Sequence, residues 1–548
     1  MSESAGALGT VKKIDYRQSE LGKNELGRMR PTMRRYEDSD EVDAVVIGTG
    51  AGGAPLLAKL SKAGLKVVAL EAGQWFESPA EQFPTDELAA GDIYWGGERL
   101  SAGGTPQVHG GNTSGTGVGG STLHWGAFCP RADERDLKLK TDSGVGVDWP
   151  LDLKDLIPYY EEVEQFLGVS GPNPYPWDPA RRYPTGPVPI NGPGQLMMKG
   201  YEALGMRASA APIAALSEDY TRPEYGTRKA CVPRGFCHQG CRNGAKASMD
   251  VTYLPWALRN GAEIRPNCFV TGFERAKDGR LTAVVYQDTS DTKKPVTRRQ
   301  RTKNVFLCAG AVETPRLLLY TGLANASGQV GKNYMGHIAP QVWGTFDKSV
   351  RMNKGFPATV ISEDTMRPKD VNFAGGYLVQ SLGVVPVTWS TGVARGRGLF
   401  GDALTRYLAD YNYIAGIGVN GETLPTEKNF IELSHELDTN GIPKPLMHFS
   451  YFENEERMVE HSVKLMIDVW KAAGARDIWV LPRTAHTIGT CRMGTDPEAS
   501  VVDPYGRSHE ISNLWISDNS TFPSSLAANP ALTIMVLALR TADAFLKS

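Results

Sequence analysis

Three glycines near the amino end of the chain are spaced for binding a dinucleotide. Gly48, Gly50 and Gly53 form the pattern G-x-G-x-x-G, and Glu71 follows at the end of the next apolar run. In this motif the glycines allow a tight turn and a close backbone approach to a pyrophosphate, while the acidic residue accepts hydrogen bonds from a ribose. The pattern therefore favours a dinucleotide site over a purely structural glycine-rich turn.

Three cysteines lie close together in the segment CVPRGFCHQGCRNGAK. Cys231, Cys237 and Cys241 have the spacing C-x5-C-x3-C. Thiolates at such a spacing on one loop can converge on an inorganic cluster. The alternative is three buried thiols without a metal, and a cluster usually has a fourth cysteine ligand. The spacing alone leaves both interpretations open.

The sequence around the glycine motif predicts a βαβ unit that would position it. The run AVVIG is typical of a buried parallel strand, and APLLAKLSKAG has a helical period that ends at Gly64. A second apolar strand, LKVVALEAG, contains Glu71. Residues 96–120 hold a further concentration of glycines that leads into STLHWGAFCPR. Because that continuation is aromatic and apolar, we predict a folded loop against a flat ligand, not a flexible surface loop.

Further elements follow along the chain. The segments AEIRPNCFVTGFER, LTAVVYQD and NVFLCAG predict strands, and residues 453–473 predict a helix. The last segment predicts a helix with Asn529 as N-cap and Pro530 at its first position. A basic cluster between two of the strands predicts the solvated face of a hairpin, not a nucleic-acid patch; it comprises Lys293, Lys294, Arg298, Arg299, Arg301 and Lys303.

The composition excludes several classes of protein. Lys and Arg number 59 against 61 Asp and Glu, so the net charge of −2 gives no electrostatic reason to bind nucleic acid or anionic lipid. Seven cysteines argue against a secreted disulfide framework. Apolar runs such as residues 531–539 are about half the length of a membrane helix. Residues 1–40 form a polar arm without the apolar segment of a signal peptide, so a cytoplasmic location is predicted.

Four motifs occur in an order that resembles the glucose–methanol–choline (GMC) family of FAD-dependent oxidoreductases. They are GTGAGG…LEAG, GTGVGGSTLHWG at 115–126, AGAVETPRLLLYTG at 309–322 and HTIGTCRMG…NPALTI at 486–534. The resemblance covers about residues 41–546. The segment GVGVDWPLDLKDLIPYYEEVEQFLGVSGP is most similar to the flavin subunits of bacterial sugar and glycoside dehydrogenases, and pyranose and glycoside oxidases are the next most similar group.

The resemblance implies an α/β fold in two interleaved parts. A Rossmann-like FAD-binding domain would comprise residues 41–150, 226–345 and 481–548. An α+β substrate domain, built on an antiparallel sheet, would comprise residues 151–225 and 346–480. The dinucleotide predicted from the glycine motif would then be FAD, not NAD.

The resemblance also implies which residues act on the substrate. His486 would be the base that accepts the proton of the substrate hydroxyl, and Asn529 would position the same hydroxyl. Considered alone, His486 is more simply a buried core histidine and Asn529 a plain helix cap; the C-terminal motif context favours the catalytic roles. The remaining positions implied to contact FAD are Gly48, Gly50, Gly53, Glu71, Gly117, Gly119, Gly120, His124, Val270, Asp518 and Pro530.

His124 and the cysteine loop are the two ambiguous positions. In pyranose oxidases the histidine equivalent to His124 carries the flavin covalently, whereas the dehydrogenase-like relatives share the His-Trp pair without that bond; we predict non-covalent FAD. The spacing of Cys231, Cys237 and Cys241 is similar to the three-iron cluster loop of dehydrogenase subunits that pass electrons to a cytochrome. The downstream RNGAKASMDVTYLP departs from those sequences, so an iron–sulfur cluster and its absence both stay open.

The predicted function is an FAD-dependent dehydrogenase that oxidises a hydroxyl of a neutral sugar or glycoside. Electrons would pass to a separate acceptor of the cytochrome type, and a small partner subunit is a further expectation. Two alternatives stay open, an oxidase that reduces O2 to hydrogen peroxide and a flavin electron-transfer protein without substrate chemistry. Relatives of the dehydrogenase subunits can be exported with a signal-bearing partner, which is the alternative to the cytoplasmic location.

Overall fold

The computed structural model describes residues 35–76, 82–104 and 114–548. Most of the predicted polar arm, residues 1–34, lies outside the described residues, as does the central part of the second glycine-rich run at 105–113.

The described residues contain twenty strands and ten α-helices. The strands are β1 (Val42–Ile47), β2 (Val67–Leu70), β3 (Leu100–Ser101), β4 (Ser209–Ala210), β5 (Tyr220–Arg222), β6 (Gly226–Arg228), β7 (Glu263–Arg265), β8 (Cys268–Arg275), β9 (Leu281–Asp288), β10 (Val296–Leu307), β11 (Met335–Ile338), β12 (Gln341–Thr345), β13 (Val360–Ser362), β14 (Tyr377–Leu382), β15 (Ile414–Gly421), β16 (Phe430–Leu437), β17 (Pro443–His448), β18 (Arg476–Leu481), β19 (Thr484–Ile488) and β20 (Leu514–Ile516). The helices are α1 (Gly53–Lys62), α2 (Leu139–Ser143), α3 (Leu153–Leu167), α4 (Gly192–Ala203), α5 (Tyr253–Arg259), α6 (Gly310–Thr321), α7 (Pro386–Arg397), α8 (Gly401–Leu408), α9 (Glu453–Ala473) and α10 (Pro530–Lys547).

The first sheet has a parallel core. Its strands lie in the order β7-β2-β1-β10-β9-β8, and β20 also pairs with β10. β1, β2, β7 and β20 run parallel to their partners, and β1 and β2 are buried apolar runs, as expected for strands covered on both faces. The amino-terminal half of β10 extends outward as an antiparallel hairpin with β9, which carries the predicted basic cluster.

The predicted βαβ unit is present. α1 follows β1 directly, ends at the residue before Ala63 and Gly64, and is followed by β2. Gly64 has a φ of +86°, the left-handed conformation typical of a residue just beyond a helix end. α1 packs against α5 and α10, so that helices cover this face of the parallel sheet.

The second sheet is antiparallel. Its strands lie in the order β18-β12-β15-β14-β13-β4, and β11 links β15 to β19. One face packs on α9 and α4 through a cluster of buried side chains that includes Val342, Ile417 and Trp470. The opposite face carries Gln341, Gln380 and several glycines, and it forms one wall of the cavity described below.

The fold class predicted from the sequence is confirmed: a Rossmann-like α/β part is combined with a part built on an antiparallel sheet. The domain boundaries stay a prediction, and membership of the second sheet crosses them, since β11, β12 and β19 come from segments assigned to the FAD-binding domain. Among the described residues, no helix is long and apolar enough to cross a membrane.

Candidate active site

The predicted glycine motif forms the turn between β1 and α1. Gly48 has a φ of +97°, and a Cβ at Gly53 would lie 2.0 Å from the carbonyl oxygen of Gly48. The N-cap of α1 is Gly52, so no side chain caps the first amides of the helix, and Ala51 and Gly52 line a cavity. A helix N-terminus with open amides is suited to bind a pyrophosphate.

Glu71 lies at the end of β2, where the same cavity begins. One carboxylate oxygen accepts hydrogen bonds from the amide and hydroxyl of Thr49, at 3.0 and 2.7 Å, and the other accepts from the amides of Gly73 and Gly117. Burial raises the pKa of Glu71. These bonds fix the carboxylate beside the glycine turn, as a ribose-binding residue requires.

The second glycine segment folds back on the first. Gly117, Gly119 and Gly120 all have positive φ, and a Cβ at Gly120 would lie 2.7 Å from the Cα of Gly50. The amide of Gly119 donates to the hydroxyl of Thr49 at 3.1 Å. A side chain at Gly120 would therefore separate the two segments, which together form a cradle of backbone.

A continuous cavity of about 1050 Å³ extends from this cradle to the second sheet. Its residues at the dinucleotide end include Gly48, Gly50, Glu71, Val270 and Asp518, and at the other end they include His124, Arg483, His486, Asn529 and Pro530. Gly48, Glu71 and Val270 thus share one cavity with the C-terminal segment, and the open amides, the carboxylate of Glu71 and the extended shape fit FAD.

His486 reaches the cavity through a β-bulge. Met335 of β11 pairs with Ile488 of β19, and His337 pairs with Ala485. Between these pairs Gly336 lies opposite two residues of β19, so β19 has one extra residue. His486 lies in the bulge with a φ of +62°, a left-handed conformation that costs a residue with a side chain about 1–3 kcal/mol. Bulges of this kind redirect a side chain next to active sites. Here the bulge presents the imidazole to the cavity.

His337, on the neighbouring strand, holds the imidazole of His486. The two Nδ1 atoms are 2.8 Å apart, and His337 Nε2 is 2.9 Å from the carbonyl oxygen of Ser525. Burial lowers the pKa of His337 to about 4. Burial, with His337 and Arg483 nearby, holds the pKa of His486 well below its usual value. Both rings are therefore neutral near pH 7.

Asn529 occupies the N-cap position of α10, as predicted, but its side chain makes no capping hydrogen bond. Its Oδ1 instead accepts a hydrogen bond from Asn420 Nδ2 at 3.2 Å, and both residues line the cavity with His486. Asn529 is therefore at the N-cap position, but its side chain does not act as a helix cap and lines the cavity instead.

Asp518 anchors the segment that precedes α10. Its carboxylate accepts from the amides of Gly310 and Ser520, both at 2.8 Å, and from the hydroxyl of Thr314 at 2.6 Å. Burial raises the pKa of Asp518. These contacts join the start of α6 to the C-terminal segment, and Asp518 lines the cavity with Pro530, as the sequence predicted.

His124 lies in the cavity wall with a free ring nitrogen. Its Nε2 is buried and has no hydrogen-bond partner among the residues that the structure describes. Tyr94 packs on the ring with a centroid separation of 4.4 Å, and burial lowers the pKa of His124 to about 3. The imidazole is therefore neutral, and the residue lines the cavity although its Nε2 is buried.

The cysteine loop does not form a set of metal ligands. No group of three Cys, His, Asp or Glu side chains in the described ranges is arranged to hold a metal ion. Burial raises the pKa of the Cys231 and Cys237 thiols, and the Cys241 thiol donates to Asn243 Oδ1 at 3.3 Å. The described residues give no support for the iron–sulfur cluster considered from the spacing, and the cluster and its absence both stay predictions.

A buried lysine holds this loop in place. Lys246 Nζ donates to the carbonyl oxygens of Cys237, Leu123 and Trp125, at 2.6, 2.8 and 3.2 Å. Because Leu123 and Trp125 flank His124, the ammonium ties the cysteine loop to the cavity wall.

Four residues of the cavity were not predicted from the sequence, Gln341, Gln380, Asn420 and Arg483. Nor was His337, which holds His486 from behind the cavity wall. His337 could have been suspected only from its histidine side chain, because nothing in the spacing connects it with His486. Asn420 and Gln341 lie on strands with no motif around them, and only the pairing of strands brings them to the site.

The chain is similar to known oxidoreductases along nearly its whole length. Family models described as GMC oxidoreductase match residues 42–339 and 425–538. The chain is 30% identical to 2-methyl-1,2-propanediol dehydrogenase of Mycolicibacterium austroafricanum, over 92% of this chain and 95% of that one. It is 29% identical to the fructose dehydrogenase large subunit of Gluconobacter japonicus, over 92% and 97%. Among solved structures, formate oxidase of Aspergillus oryzae, studied for its FAD modification, matches with a TM-score of 0.64 at 14% identity, over 93% and 98%.

Proposed function

Because the chain belongs to the GMC oxidoreductase family, we propose that it is an FAD-dependent dehydrogenase that oxidises a hydroxyl of a sugar or glycoside. Family membership makes it an oxidoreductase that acts on alcohols or sugars. The observation that supports the finer proposal is the neutral His486 imidazole, which shares one cavity with Asn529 and with the dinucleotide cradle.

The family implies FAD, and the cavity has a residue for each part of it. The amides of the Gly48–Gly53 turn would hold the pyrophosphate, and Glu71 would accept from the ribose. Of the second glycine segment, Gly120 lines the cavity, whereas a Cβ at Gly117 or Gly119 would face Leu123, so these two glycines shape the cradle from behind. Val270, Asp518 and Pro530 line the rest of the path. Bound FAD would supply the acceptor for the hydride that leaves the substrate carbon.

The chain's own contribution to the reaction is the removal of a proton. His486 Nε2 would accept the proton of the substrate hydroxyl, because Nδ1 of the same ring is engaged by His337. Asn529 would hold the hydroxyl by its side-chain amide, and Asn420 fixes that amide through its hydrogen bond to Oδ1.

The proposed electron acceptor is a separate protein. The proposal is supported by the relatives reported above, which are named dehydrogenases, one of them the large subunit of its enzyme. A cytochrome-type acceptor and a small partner subunit are proposed on the same basis. An oxidase that transfers electrons to O2 is the competing function, since formate oxidase shares the fold.

Non-covalent attachment of FAD stays a prediction. His124 lines the cavity but its Nε2 is buried, which favours non-covalent FAD over a bond to that atom. Acid precipitation of the purified protein distinguishes the two states: non-covalent flavin passes into the supernatant, whereas covalent flavin stays in the pellet.

One anaerobic experiment tests the proposed function. The purified yellow protein is mixed with a panel of sugars, glycosides and sugar acids, and bleaching of the flavin band is recorded. We expect bleaching by at least one member and turnover in air with an artificial dye. Stoichiometric peroxide without dye would contradict the dehydrogenase proposal in favour of the oxidase. Bleaching by no substrate would contradict both.

A further inference from the structure

Arg483 is a charged group in the cavity that the proposed proton transfer does not use. It follows β18 closely and lines the cavity three residues before His486. In the part of the chain that the structure describes, its guanidinium has neither an ion pair nor a hydrogen bond. The other two arginines of the cavity, Arg99 and Arg316, are both paired with Glu313, at 3.1 and 2.9 Å.

The carboxylates of the cavity leave Arg483 uncompensated. Glu313 forms ion pairs with two arginines, and Glu71 accepts hydrogen bonds from Thr49 and two glycine amides. Glu87 accepts from the amides of Val387 and Thr388. Arg483 is therefore a positive charge in an exposed residue of the cavity wall, with no anion among the described residues to pair with. Such a charge stabilises a bound anion strongly, because a guanidinium forms short, charge-assisted bonds to carboxylate and phosphate oxygens.

Two glutamine amides lie on the same wall. Gln341 on β12 and Gln380 on β14 are both directly opposite Gly418 on the intervening strand β15. Directly opposite residues of antiparallel strands project from the same face, so both side chains flank the glycine. Gln341 is only 7% exposed, and neither amide has a hydrogen-bond partner within the described ranges. Both amides line the cavity with accessible atoms, so a ligand hydroxyl can form hydrogen bonds with them that no protein group makes.

The pairing of strands connects these amides with Arg483. Gln341 is opposite Leu481, the last residue of β18, and the carbonyl oxygen of Arg483 accepts from the amide of Ala339 at 3.1 Å. Gly418 has no side chain that would separate the glutamines. A Cβ at this position would lie 2.9 Å from Leu382. The wall is thus an open strip with a cation at one end and amides along it.

We propose that Arg483, Gln341 and Gln380 bind a substrate that carries an anionic group, a carboxylate or a phosphate, on a polyhydroxylated carbon chain. The guanidinium would pair with the anion, and the two amides would donate to and accept from neighbouring hydroxyls. This inference rests on the proposed function and replaces the neutral substrate predicted from the composition. Cationic sugars are disfavoured, because they would bring a second positive charge to Arg483.

The test compares three ligands that differ in charge, gluconate, glucose 6-phosphate and glucose. Binding to the anaerobic holoenzyme is measured by calorimetry, and flavin bleaching by rapid mixing. We expect gluconate or glucose 6-phosphate to bind at least tenfold more tightly than glucose, and the better anion identifies carboxylate or phosphate. Arg483→Gln should weaken anion binding by about 10- to 100-fold and change glucose binding by less than about threefold.

Two variants make the test specific. Arg483→Lys keeps the charge and should retain part of the preference for anions. Arg476→Gln, at the start of the preceding strand β18, outside the cavity lining and paired with Asp347, should leave the binding of all three ligands unchanged. If Arg483→Gln weakened the anions and glucose equally, or if neither anion bound, the anionic subsite would be refuted. If anions bound through Arg483 but no ligand bleached the flavin, the subsite would stand and the proposed function would fail.

Discussion

The imidazoles of His337 and His486 meet through their Nδ1 atoms at 2.8 Å, with their ring planes 84° apart. His337 Nε2 must carry a proton, because its partner is the carbonyl oxygen of Ser525, which only accepts. A neutral His337 then has a lone pair at Nδ1, so His486 donates from its own Nδ1. The consequence is a fixed tautomer in which His486 Nε2 is unprotonated and free to act as a base.

Loss of His337 should therefore reduce activity without removing the cofactor. In His337→Ala the imidazole of His486 can rotate and change tautomer, and we expect kcat to fall by about 10- to 100-fold with FAD still bound. His337→Gln keeps an acceptor atom and should recover part of the rate. His461→Ala, a histidine outside the cavity, is the control. Equal kcat in His337→Ala and wild type would show that the tautomer is set by something else.

The acid limb of the pH profile should lie well below pH 6.5. A base acts when unprotonated, and burial holds the pKa of His486 well below its ordinary value, so protonation removes activity only at low pH. We expect kcat/KM to stay constant between about pH 8 and pH 6.5. In His337→Ala the limb should move to higher pH, since His337 contributes to the lowered pKa of His486. A wild-type midpoint at or above pH 6.5 would contradict the assignment of His486 as base.

Asn529 should matter for activity and little for stability. A lost N-cap costs roughly 0.5–2 kcal/mol in the free energy of unfolding. Because the Asn529 side chain makes no capping bond to α10, Asn529→Ala should not cause this loss. The same change removes the amide beside His486, and kcat/KM should fall by about tenfold or more. Thermal unfolding and steady-state kinetics of the one variant separate the two roles. A large loss of stability at unchanged kcat/KM would restore the interpretation of Asn529 as a cap.

Gly53 should be essential for the dinucleotide cradle. In Gly53→Ala the new methyl group would lie 2.0 Å from the carbonyl oxygen of Gly48, and backbone cannot move aside without opening the turn. We expect a loss of about 1–3 kcal/mol in stability and a lower flavin content. Gly186→Ala is the matched control, because nothing lies within 4 Å of a Cβ at that position. Flavin content equal to that of Gly186→Ala would place the cofactor elsewhere.

Local patterns were sufficient to predict the parts of the fold that depend on neighbouring residues. The βαβ unit, the helix at 453–473 and the helix that begins at Pro530 all follow from apolar period and capping residues, and the structure has them at those positions. The predicted strand AEIRPNCFVTGFER is two strands, β7 and β8, because the chain turns at Pro266 and Asn267 and joins different partners.

The catalytic wall could not be predicted in the same way. His486 is redirected by a bulge that depends on the register between β11 and β19, and no residue pattern encodes that register. Gln341 and Gln380 are brought together by Gly418 on the strand between them, which lies 77 residues after Gln341 and 38 after Gln380 in the chain. Residues that belong to a sequence motif could be predicted. Residues that reach the site only because their strands pair could not be predicted without the three-dimensional structure.

The cysteine loop should be stabilised by Lys246, not by a metal. The ammonium donates to three carbonyl oxygens, from Leu123, Trp125 and Cys237, whereas no three side chains in the described ranges are arranged to hold a metal ion. In Lys246→Met those carbonyls lose their donor in a buried place, and each unsatisfied group costs about 1–3 kcal/mol. We expect a marked fall in the unfolding midpoint and a disturbed flavin spectrum, since the same carbonyls flank His124.

Serine substitution of the cysteines is the complementary measurement. If the loop holds no cluster, the variant with Cys231, Cys237 and Cys241 all changed to Ser should retain its flavin and its rate of flavin bleaching, with an unfolding midpoint well above that of Lys246→Met. The purified wild-type protein should contain less than about 0.1 iron per chain, whereas a cluster of this spacing would hold about three. Stoichiometric iron that disappears in the serine variant would overturn the role given to Lys246, because the thiolates would then be the groups that fix the loop.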